Sequence, residues 1–297
     1  MKYEFKENAV VLIPGQADEK KTIGDLLDTY LQSKKNRAFL LGSESILLDD
    51  IPVRSEEELI GTRCITLKLA KEEPDWIPAD EPCQVVYSDP FLLVVHKPAG
   101  CIIHGEPDDK ECLNAQVAKY MLDHDIHSYV RPVHRLDRDT QGLVIYSRIS
   151  FFQPWFDDQL ARKMIRRHYR AICFGKAENG QKMTIKAKLG RDRHINGAYR
   201  VSDTGKDAET YAEVLAVRRP YVLFGCRLET GRTHQIRVHL SWKGYPIVND
   251  PLYGKRSKDF KGMGLWADEI EFRSPVTRKK HRIHDYEAED FMIFNQE

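Results

Sequence analysis

The sequence predicts an α+β protein: a large domain with a mainly antiparallel mixed sheet and flanking helices, preceded by a small α+β module. Three observations predict this class. Short β-branched runs outnumber helical stretches, two of them are separated only by a short turn sequence, and a proline-rich acidic segment divides the chain. The 297 residues are enough for one large core and a smaller module.

The first 75 residues form the predicted module. Residues 10–13 read as a strand, and Thr22 with Asp25 three residues later is typical of a capping box that begins a helix. Apolar side chains then recur at helical spacing as far as Leu31. A short helix at 36–41 and strands at 46–48 and 63–69 complete the predicted module.

The segment KEEPDWIPADEP, at 71–82, contains three prolines and five acidic residues. Proline fixes φ and removes a backbone donor, so this composition predicts a linker. We therefore place the domain boundary between residues 75 and 76, which leaves 76–297 for the larger domain.

Strands dominate the larger domain. Apolar runs at 90–96, 143–147 and 169–174 are short and β-rich, whereas residues 151–164 have helical spacing. Residues 210–217 and 221–228 flank an Arg-Arg-Pro turn and are predicted to pair in antiparallel fashion.

Charge is unevenly distributed, although the net formal charge is only +1. Residues 160–200 hold 12 Lys and Arg against 2 Asp and Glu, whereas residues 1–80 hold 11 against 16. A basic block within a neutral chain is typical of a local contact with a polyanion. The alternative is a solvated charged surface with no partner.

The sequence indicates a cytoplasmic protein. Its longest strongly apolar run covers only 91–95, far too short for a membrane span, and no signal peptide is recognisable at the N-terminus. The six cysteines form no CxxC pair, as expected for reduced thiols.

Three polar segments stand where a fold alone would not need them. The first, PVHRLDRDTQG at 132–142, runs directly into an apolar strand, a position typical of catalytic loops. The second, LETGRTHQIRVHL at 228–240, has apolar residues that fit either a strand or a short helix. The third, RRHYRA at 166–171, lies within the basic block.

Together these segments resemble the RluA-type family of RNA pseudouridine synthases. The signature loop stands here as HRLDRDTQGLVIYSR at 134–148, preceded by HKPAG at 96–100. RHYRA at 167–171 and GRTHQIRVHL at 231–240, continued by WKGYPIVNDPLYG, match further motifs in order. The resemblance covers about residues 83–280. Gln141 departs from the usual Ser or Thr, which bears on the loop's detail rather than on the reaction.

The resemblance implies an isomerase that exchanges the nitrogen–ribose bond of uridine for a carbon–ribose bond. No electron or phosphate is transferred, so neither cofactor nor metal is expected. The resemblance implies Asp137 as the catalytic carboxylate, which either attacks the anomeric carbon or removes a sugar proton. A buried carboxylate needs a guanidinium to stay ionised. The implied partner is Arg237, with Arg232 as the competing choice.

Other residues take supporting roles by the same resemblance. Tyr169 is expected to stack on the target base and to assist the last proton transfer. A further set is expected to contact RNA: Arg135, His134, Arg232, Arg166 and Arg167. For His134 a structural hydrogen bond is an equal alternative. The target itself, ribosomal or transfer RNA, is left open, and we expect a monomer.

Two rival functions and one open question follow from the same residues. A metal hydrolase would use His134, His234 and His239, whose spacing matches no zinc pattern. A non-catalytic RNA-binding protein would use the basic block alone. The N-terminal module resembles in position a ribosomal-protein-like RNA-binding module. Its acidic charge indicates a degenerate version, so deletion of residues 1–75 is expected to spare the chemistry.

Overall fold

A computed structural model describes residues 1–6, 8–69, 75–126, 130–286 and 288–294. They form a five-stranded sheet, a ten-stranded sheet and a two-stranded hairpin. Of the predicted linker, residues 71–74 lie outside the described ranges. None of the helices in those ranges has the length and apolar character needed to cross a bilayer.

The N-terminal sheet has the strand order β1-β2-β5-β3-β4, and every pair is antiparallel. Its elements are β1 (Lys2–Lys6), β2 (Ala9–Ile13), α1 (Ile23–Thr29), α2 (Lys34–Gly42), β3 (Ile46–Leu48), β4 (Ile51–Pro52) and β5 (Ile65–Lys68). The predicted capping box is confirmed. Thr22 Oγ1 accepts from the Asp25 amide at 3.2 Å, and Asp25 Oδ2 accepts from the Thr22 amide at 2.8 Å.

The larger domain contains the remaining helices and strands. They are β6 (Gln84–Ser88), β7 (Leu92–Lys97), α3 (Leu113–Asp123), β8 (Arg131–Pro132), β9 (Gln141–Ser147), α4 (Gln153–Ala161), β10 (Arg166–Phe174), β11 (Lys182–Lys186), β12 (Leu189–Arg191), β13 (Tyr199–Val201), β14 (Glu209–Arg218), β15 (Tyr221–Leu228), α5 (Gln235–Trp242), β16 (Leu265–Arg273) and β17 (Lys280–His284). Three short 3-10 turns, at Gln16–Asp18, Ser150–Phe152 and Glu289–Phe294, complete the described structure.

The large sheet is mainly antiparallel, as predicted. Its order is β11-β14-β15-β10-β16-β9-β7-β6, with β17 beside β16 and β8 beside β9. The predicted pairing of β14 with β15 is confirmed. Only the contact of β9 with β16 is parallel among the described strands. There Gly142, at φ 121°, lies so close to Ala267 that a Cβ would be 2.3 Å from its carbonyl oxygen, so only glycine fits.

Each face of the central strands packs against different helices. On one face, α3 and α5 contribute Leu113, Val117, Ile236 and Leu240 to a core shared with Tyr169. On the other face, α4 and the N-terminal module share a second core. Strands covered on both faces are apolar throughout, which explains the uninterrupted apolar runs in the sequence.

The N-terminal module is joined to the larger domain by buried contacts. Tyr30 is 2% exposed and packs edge-on against Phe152, with ring centroids 5.0 Å apart. Its hydroxyl donates to the Pro275 carbonyl at 3.1 Å, and Gln32 Nε2 donates to the Phe151 carbonyl at 2.7 Å. Module and larger domain therefore share one apolar core, which argues against the expectation that deletion of residues 1–75 spares the chemistry.

Candidate active site

The loop between β8 and β9 holds Asp137 just before the start of β9, an inner strand of the large sheet. The Asp137 carbonyl accepts from the Thr140 amide at 3.2 Å, which closes a tight turn just before β9. The Asp137 side chain is 26% exposed and lines a cleft of about 670 Å³. This volume is within the range of about 300–1,000 Å³ typical of ligand sites.

A buried lysine donates hydrogen bonds to the backbone of this loop. Lys97, at the end of β7, has no exposed surface, and its ammonium donates to three carbonyls: Pro98 at 2.9 Å, Cys101 at 2.7 Å and Arg138 at 2.7 Å. Burial lowers the pKa of Lys97 to about 8, against the opposing effect of Cys101 and the nearby aspartates. Arg138 directly follows Asp137, so the bond of Lys97 to the Arg138 carbonyl helps to set the position of the Asp137 loop.

Helix α5 brings Arg237 to the aspartate. Arg237 is 3% exposed, and its Nη1 donates to Asp137 Oδ2 at 3.2 Å. The same guanidinium makes two bonds to Asp250, from Nε at 2.8 Å and from Nη2 at 2.9 Å. Burial alone would lower the pKa of Arg237, but the bonds to Asp250 and the charge of Asp137 raise it. The arginine is therefore a fixed cation.

Asp250 is the residue that orients this arginine. It is 5% exposed, and its Oδ1 also accepts from the amides of Leu252 at 2.9 Å and Tyr253 at 3.1 Å. A bidentate guanidinium–carboxylate pair has a fixed plane, so one edge of Arg237 is directed at Asp137. The sequence did not single out Asp250.

The choice between Arg237 and Arg232 is resolved by position. Arg232 is exposed, and its Nε donates to the Asp207 carbonyl at 3.0 Å rather than to Asp137. It lines the same cleft. The contact with Asp137 belongs to Arg237.

His234 is a further neighbour of Asp137, with its Nε2 3.9 Å from Asp137 Oδ2. The Tyr253 hydroxyl oxygen accepts from the Tyr199 amide at 2.7 Å and lies 2.8 Å from His234 Nδ1. This contact orients the imidazole ring, with Nε2 on the side of Asp137. Burial lowers the pKa of His234, against the effect of Asp137, and favours the neutral ring.

Tyr169 lines the same cleft from β10. It is 5% exposed, on the face of the strand that packs toward α5. Burial raises the pKa of Tyr169, and the charge of Asp137 acts in the same direction. The phenol therefore keeps its proton at neutral pH and presents an aromatic surface beside the carboxylate.

The predicted RNA-contacting residues divide into three groups. Arg135, Arg232 and Arg167 line the cleft. His134 also lines it but is 5% exposed, and its Nε2 accepts from the Ile145 amide at 3.3 Å. Burial lowers the pKa of His134 to about 3, so it is a neutral ring held by β9. Arg166 does not line the cleft, because neighbouring side chains alternate along a strand and Arg166 lies on the face opposite Arg167.

The basic block is less uniform than its sequence indicates. Arg167 lines the cleft, and Lys163 lines it while paired with Glu229 at 2.5 Å. Several other members form ion pairs, including Arg162 with Asp158, Arg170 with Asp268, Lys182 with Glu213 and Lys186 with Glu209. The positive charge directed at the cleft is thus a subset of the block.

The three histidines of the metal-site alternative do not form a ligand cluster. His239 lies 2.9 Å from Thr210 Oγ1 and 3.0 Å from the Ala187 carbonyl. Within the described ranges, the side chains close enough to share an ion are instead His168, Glu269 and Glu271. Glu271 is already paired with Lys280 and Arg282.

Known proteins are similar to this chain across the segments that form the site. The family model described as RNA pseudouridylate synthase matches residues 91–242, which include the Asp137 loop, Tyr169 and Arg237. A protein of Xylella fastidiosa named ribosomal large subunit pseudouridine synthase D is 33% identical over 263 residues, covering 81% of this chain and 77% of that protein. The chain belongs to the RNA pseudouridine synthase family. The predicted RluA-type resemblance is confirmed.

Other similarities extend the relationship. The protein of the same name from Xanthomonas campestris pv. campestris is 31% identical over 300 residues, covering 94% of this chain and 89% of that protein. The solved structure of human RNA pseudouridylate synthase domain containing 1 aligns with a TM-score of 0.59 at 23% identity. It covers 70% of this chain and 84% of that one, and it shows the shared fold.

This pseudouridine synthase is therefore an isomerase acting on RNA, and the non-catalytic alternative is set aside. Three of its site residues were not singled out from the sequence as parts of the catalytic site: Lys97, Asp250 and His234. Lys97 and Asp250 lie within the HKPAG and NDPLYG runs. For Lys97 the available signal was a lysine at the end of an apolar strand. For Asp250 it was an Asp-Pro pair after a helix.

Proposed function

We propose that this synthase converts uridines of the large-subunit ribosomal RNA to pseudouridine, with Asp137 acting on the ribose of an extruded nucleotide. The proposed substrate is supported by relatives named for the ribosomal large subunit in Xylella and Xanthomonas. The proposed compartment is the cytoplasm, and the proposed working form is a monomer.

The observation that carries the proposal is the chain Asp137–Arg237–Asp250 in a cleft lined by Tyr169. As the bond between ribose C1′ and uracil N1 breaks, its electron pair leaves with the base. Asp137 then either bonds to C1′ or takes a sugar proton. Rotation of the uracil lets its C5 bond to C1′ while the Asp137–C1′ bond breaks or, on the other route, while Asp137 returns the proton to the sugar. The C5 proton is then lost and N1 takes up a proton. Atoms and charge balance without oxidant, reductant or cofactor.

The remaining cleft residues have proposed roles in binding. The base must leave its helical stack to expose the glycosidic bond, and Tyr169 offers it an aromatic surface. Arg135, Arg167 and Arg232 are placed to contact phosphates. His134 acts through the position of its loop. Arg166 would contact RNA only beyond the cleft.

Pseudouridine mapping tests the substrate. Ribosomal RNA from a strain lacking the protein is compared, by carbodiimide treatment and primer extension, with RNA from strains that carry the wild type or Asp137→Asn. The expected result is a set of large-subunit sites present only with the wild type. Sites confined to transfer RNA would overturn the proposed substrate, and restoration by Asp137→Asn would overturn the role of Asp137.

A further inference from the structure

A second cavity adjoins the cleft. Its volume is about 320 Å³, and it shares Asp137, His234 and Arg237 with the cleft but not Tyr169. Five apolar side chains, Ile102, Ile103, Leu136, Pro251 and Leu252, line it together with the polar side chains of His104, Arg135, Arg138, Asp139 and Thr233. Ile102 is 39% exposed at this cavity.

His104 is an exposed side chain of this cavity. A buried hydrogen-bond network orients its ring. Tyr146, fully buried, donates its hydroxyl hydrogen to Asn114 Oδ1 at 2.7 Å. The Asn114 amide nitrogen, which can only donate, lies 3.0 Å from His104 Nδ1. Nδ1 is therefore an acceptor, and the hydrogen of the neutral ring is on Nε2.

This network is costly to build. Asn114 is 3% exposed, and the Tyr146 ring lies in the apolar core of α3 and β9. Polar groups in such a core are destabilising unless they are bonded, and phenylalanine with an apolar partner would pack without that cost. The chain Tyr146–Asn114 ends at an exposed imidazole. What it achieves is a single tautomer of His104.

The charges of the cavity favour a neutral ligand. Arg135 and Arg138 are offset by Asp137 and Asp139, and Arg237 is already paired. Arg138 is further held by the bond from its Nε to the Gly100 carbonyl at 3.1 Å. A phosphate would gain little in this balance. Balanced charges and apolar side chains beside an oriented N–H donor suit a nucleobase that presents a hydrogen-bond acceptor on its edge.

We propose that this cavity binds the base next to the target uridine in the RNA chain, and that His104 Nε2 donates to an acceptor on that base. The inference rests on the proposed function, because it assumes that the target nucleotide occupies the cleft beside Asp137. The cavity shares that aspartate, so one residue of RNA chain is enough to reach from the cleft into it. His104 is thereby a binding residue for the base next to the target uridine.

Nitrogen NMR of the histidine rings tests the tautomer first. His104 is expected to carry its hydrogen on Nε2. The control is the exposed His124, whose Nδ1 donates to the Tyr120 carbonyl at 2.8 Å and which should show the opposite tautomer. Tyr146→Phe removes the hydroxyl that orients Asn114, so the His104 signals should shift to a tautomer mixture while His124 is unchanged. An unshifted spectrum would contradict the network.

Binding is then measured with dinucleoside phosphates that place each of the four bases, or an abasic sugar, on either side of uridine. Bases with an acceptor edge on one side should shift the His104 Nε2 signal, and the abasic probe should not. His104→Ala should weaken that binding about tenfold, and His124→Ala should not. An equal response to the abasic probe would assign the cavity to phosphate and overturn the proposal, as would no response.

Turnover separates this inference from the proposed function. If the wild type modifies a transcript of large-subunit ribosomal RNA but the His104 Nε2 signal does not respond to the neighbouring base, only the proposed role of the cavity is wrong. If His104 responds as expected while no pseudouridine forms in that transcript, the proposed substrate is wrong and the cavity still binds a base.

Discussion

Arg237 Nη1 donates to Asp137 Oδ2 at 3.2 Å, while the rest of the same guanidinium is held by Asp250. The Asp137 carboxylate thus faces a cation whose orientation is set by Asp250. An arrangement fixed in advance needs no reorganisation when charge moves in the reaction, which is the main physical advantage of an enzyme site over water.

Asp250→Asn should reduce turnover strongly although residue 250 lies behind the site. The variant leaves the buried guanidinium without its carboxylate, which costs about 3–5 kcal/mol of stability, and frees Arg237 to rotate away from Asp137. We expect turnover to fall at least about a hundredfold. Urea unfolding and single-turnover assays measure the two effects. The control is the exposed Asp108→Asn, and equal behaviour of the two variants would contradict the role of Asp250.

Lys97 predicts opposite pH trends for stability and activity. Its pKa is about 8 in the folded protein and 10.5 ordinarily, so between these values the unfolded chain binds more protons. The contribution of Lys97 to the free energy of unfolding therefore rises with pH across that window. Activity should fall above about pH 8, because a neutral amine has two hydrogens for three carbonyls.

Lys97→Met provides the comparison. In this variant the part of the free energy of unfolding that rises with pH should disappear. Most activity should be lost at every pH, because three loop carbonyls lose their hydrogen-bond donor. Urea unfolding and turnover from pH 7 to 10 measure both, with the exposed Lys258→Met as control. A stability profile of Lys97→Met that matches the wild type would contradict the assignment.

Two substitutions of Tyr169 should distinguish its contribution to RNA affinity from its contribution to turnover. Tyr169→Phe keeps the aromatic face, so RNA affinity should be retained, and turnover should fall about 10²–10³-fold if the hydroxyl serves proton transfer. Tyr169→Leu should also weaken RNA binding, by about 1–3 kcal/mol. Filter binding and single-turnover rates distinguish the two variants. Equally weak binding by both would contradict base stacking.

The N-terminal module should prove essential to folding. Tyr30→Ala removes a buried ring and should cost about 3–5 kcal/mol, whereas Phe39→Ala, at a side chain that is 64% exposed, should cost little. Deletion of residues 1–69 should leave an aggregating protein, since it uncovers the core around Phe152. Urea unfolding of the full chain should show one transition. Separate transitions for the module and the larger domain would contradict a shared core.

The sequence predicted much of the site because its motifs are local. Asp137 and Tyr169 could be found from the sequence motifs around them. The pairing of β14 with β15 could be predicted from the turn between two apolar runs. Asp250 could not, because its bond to Arg237 spans 13 residues and is made by tertiary packing. Lys97 likewise has its function only where the Arg138 carbonyl meets it.

Helix α5 shows why periodicity failed locally. Every residue from Gln235 to Leu240 is buried, and polar and apolar residues alternate along the segment, so the sequence fits a strand as well as the helix that forms. Arg166 shows a second limit. Its neighbour Arg167 lines the cleft, and which of two adjacent arginines does so depends on strand orientation, which charge alone does not reveal.

Single-turnover formation of pseudouridine by Asp137→Asn, on a transcript of large-subunit ribosomal RNA, tests the central claim most directly. The amide has nearly the same shape as the carboxylate but lacks its charge and nucleophilicity. We predict a rate at least about a thousandfold below the wild type, with RNA affinity changed less than about threefold. A rate within about tenfold of the wild type, with RNA bound normally, would show that Asp137 is not the group that acts on the ribose.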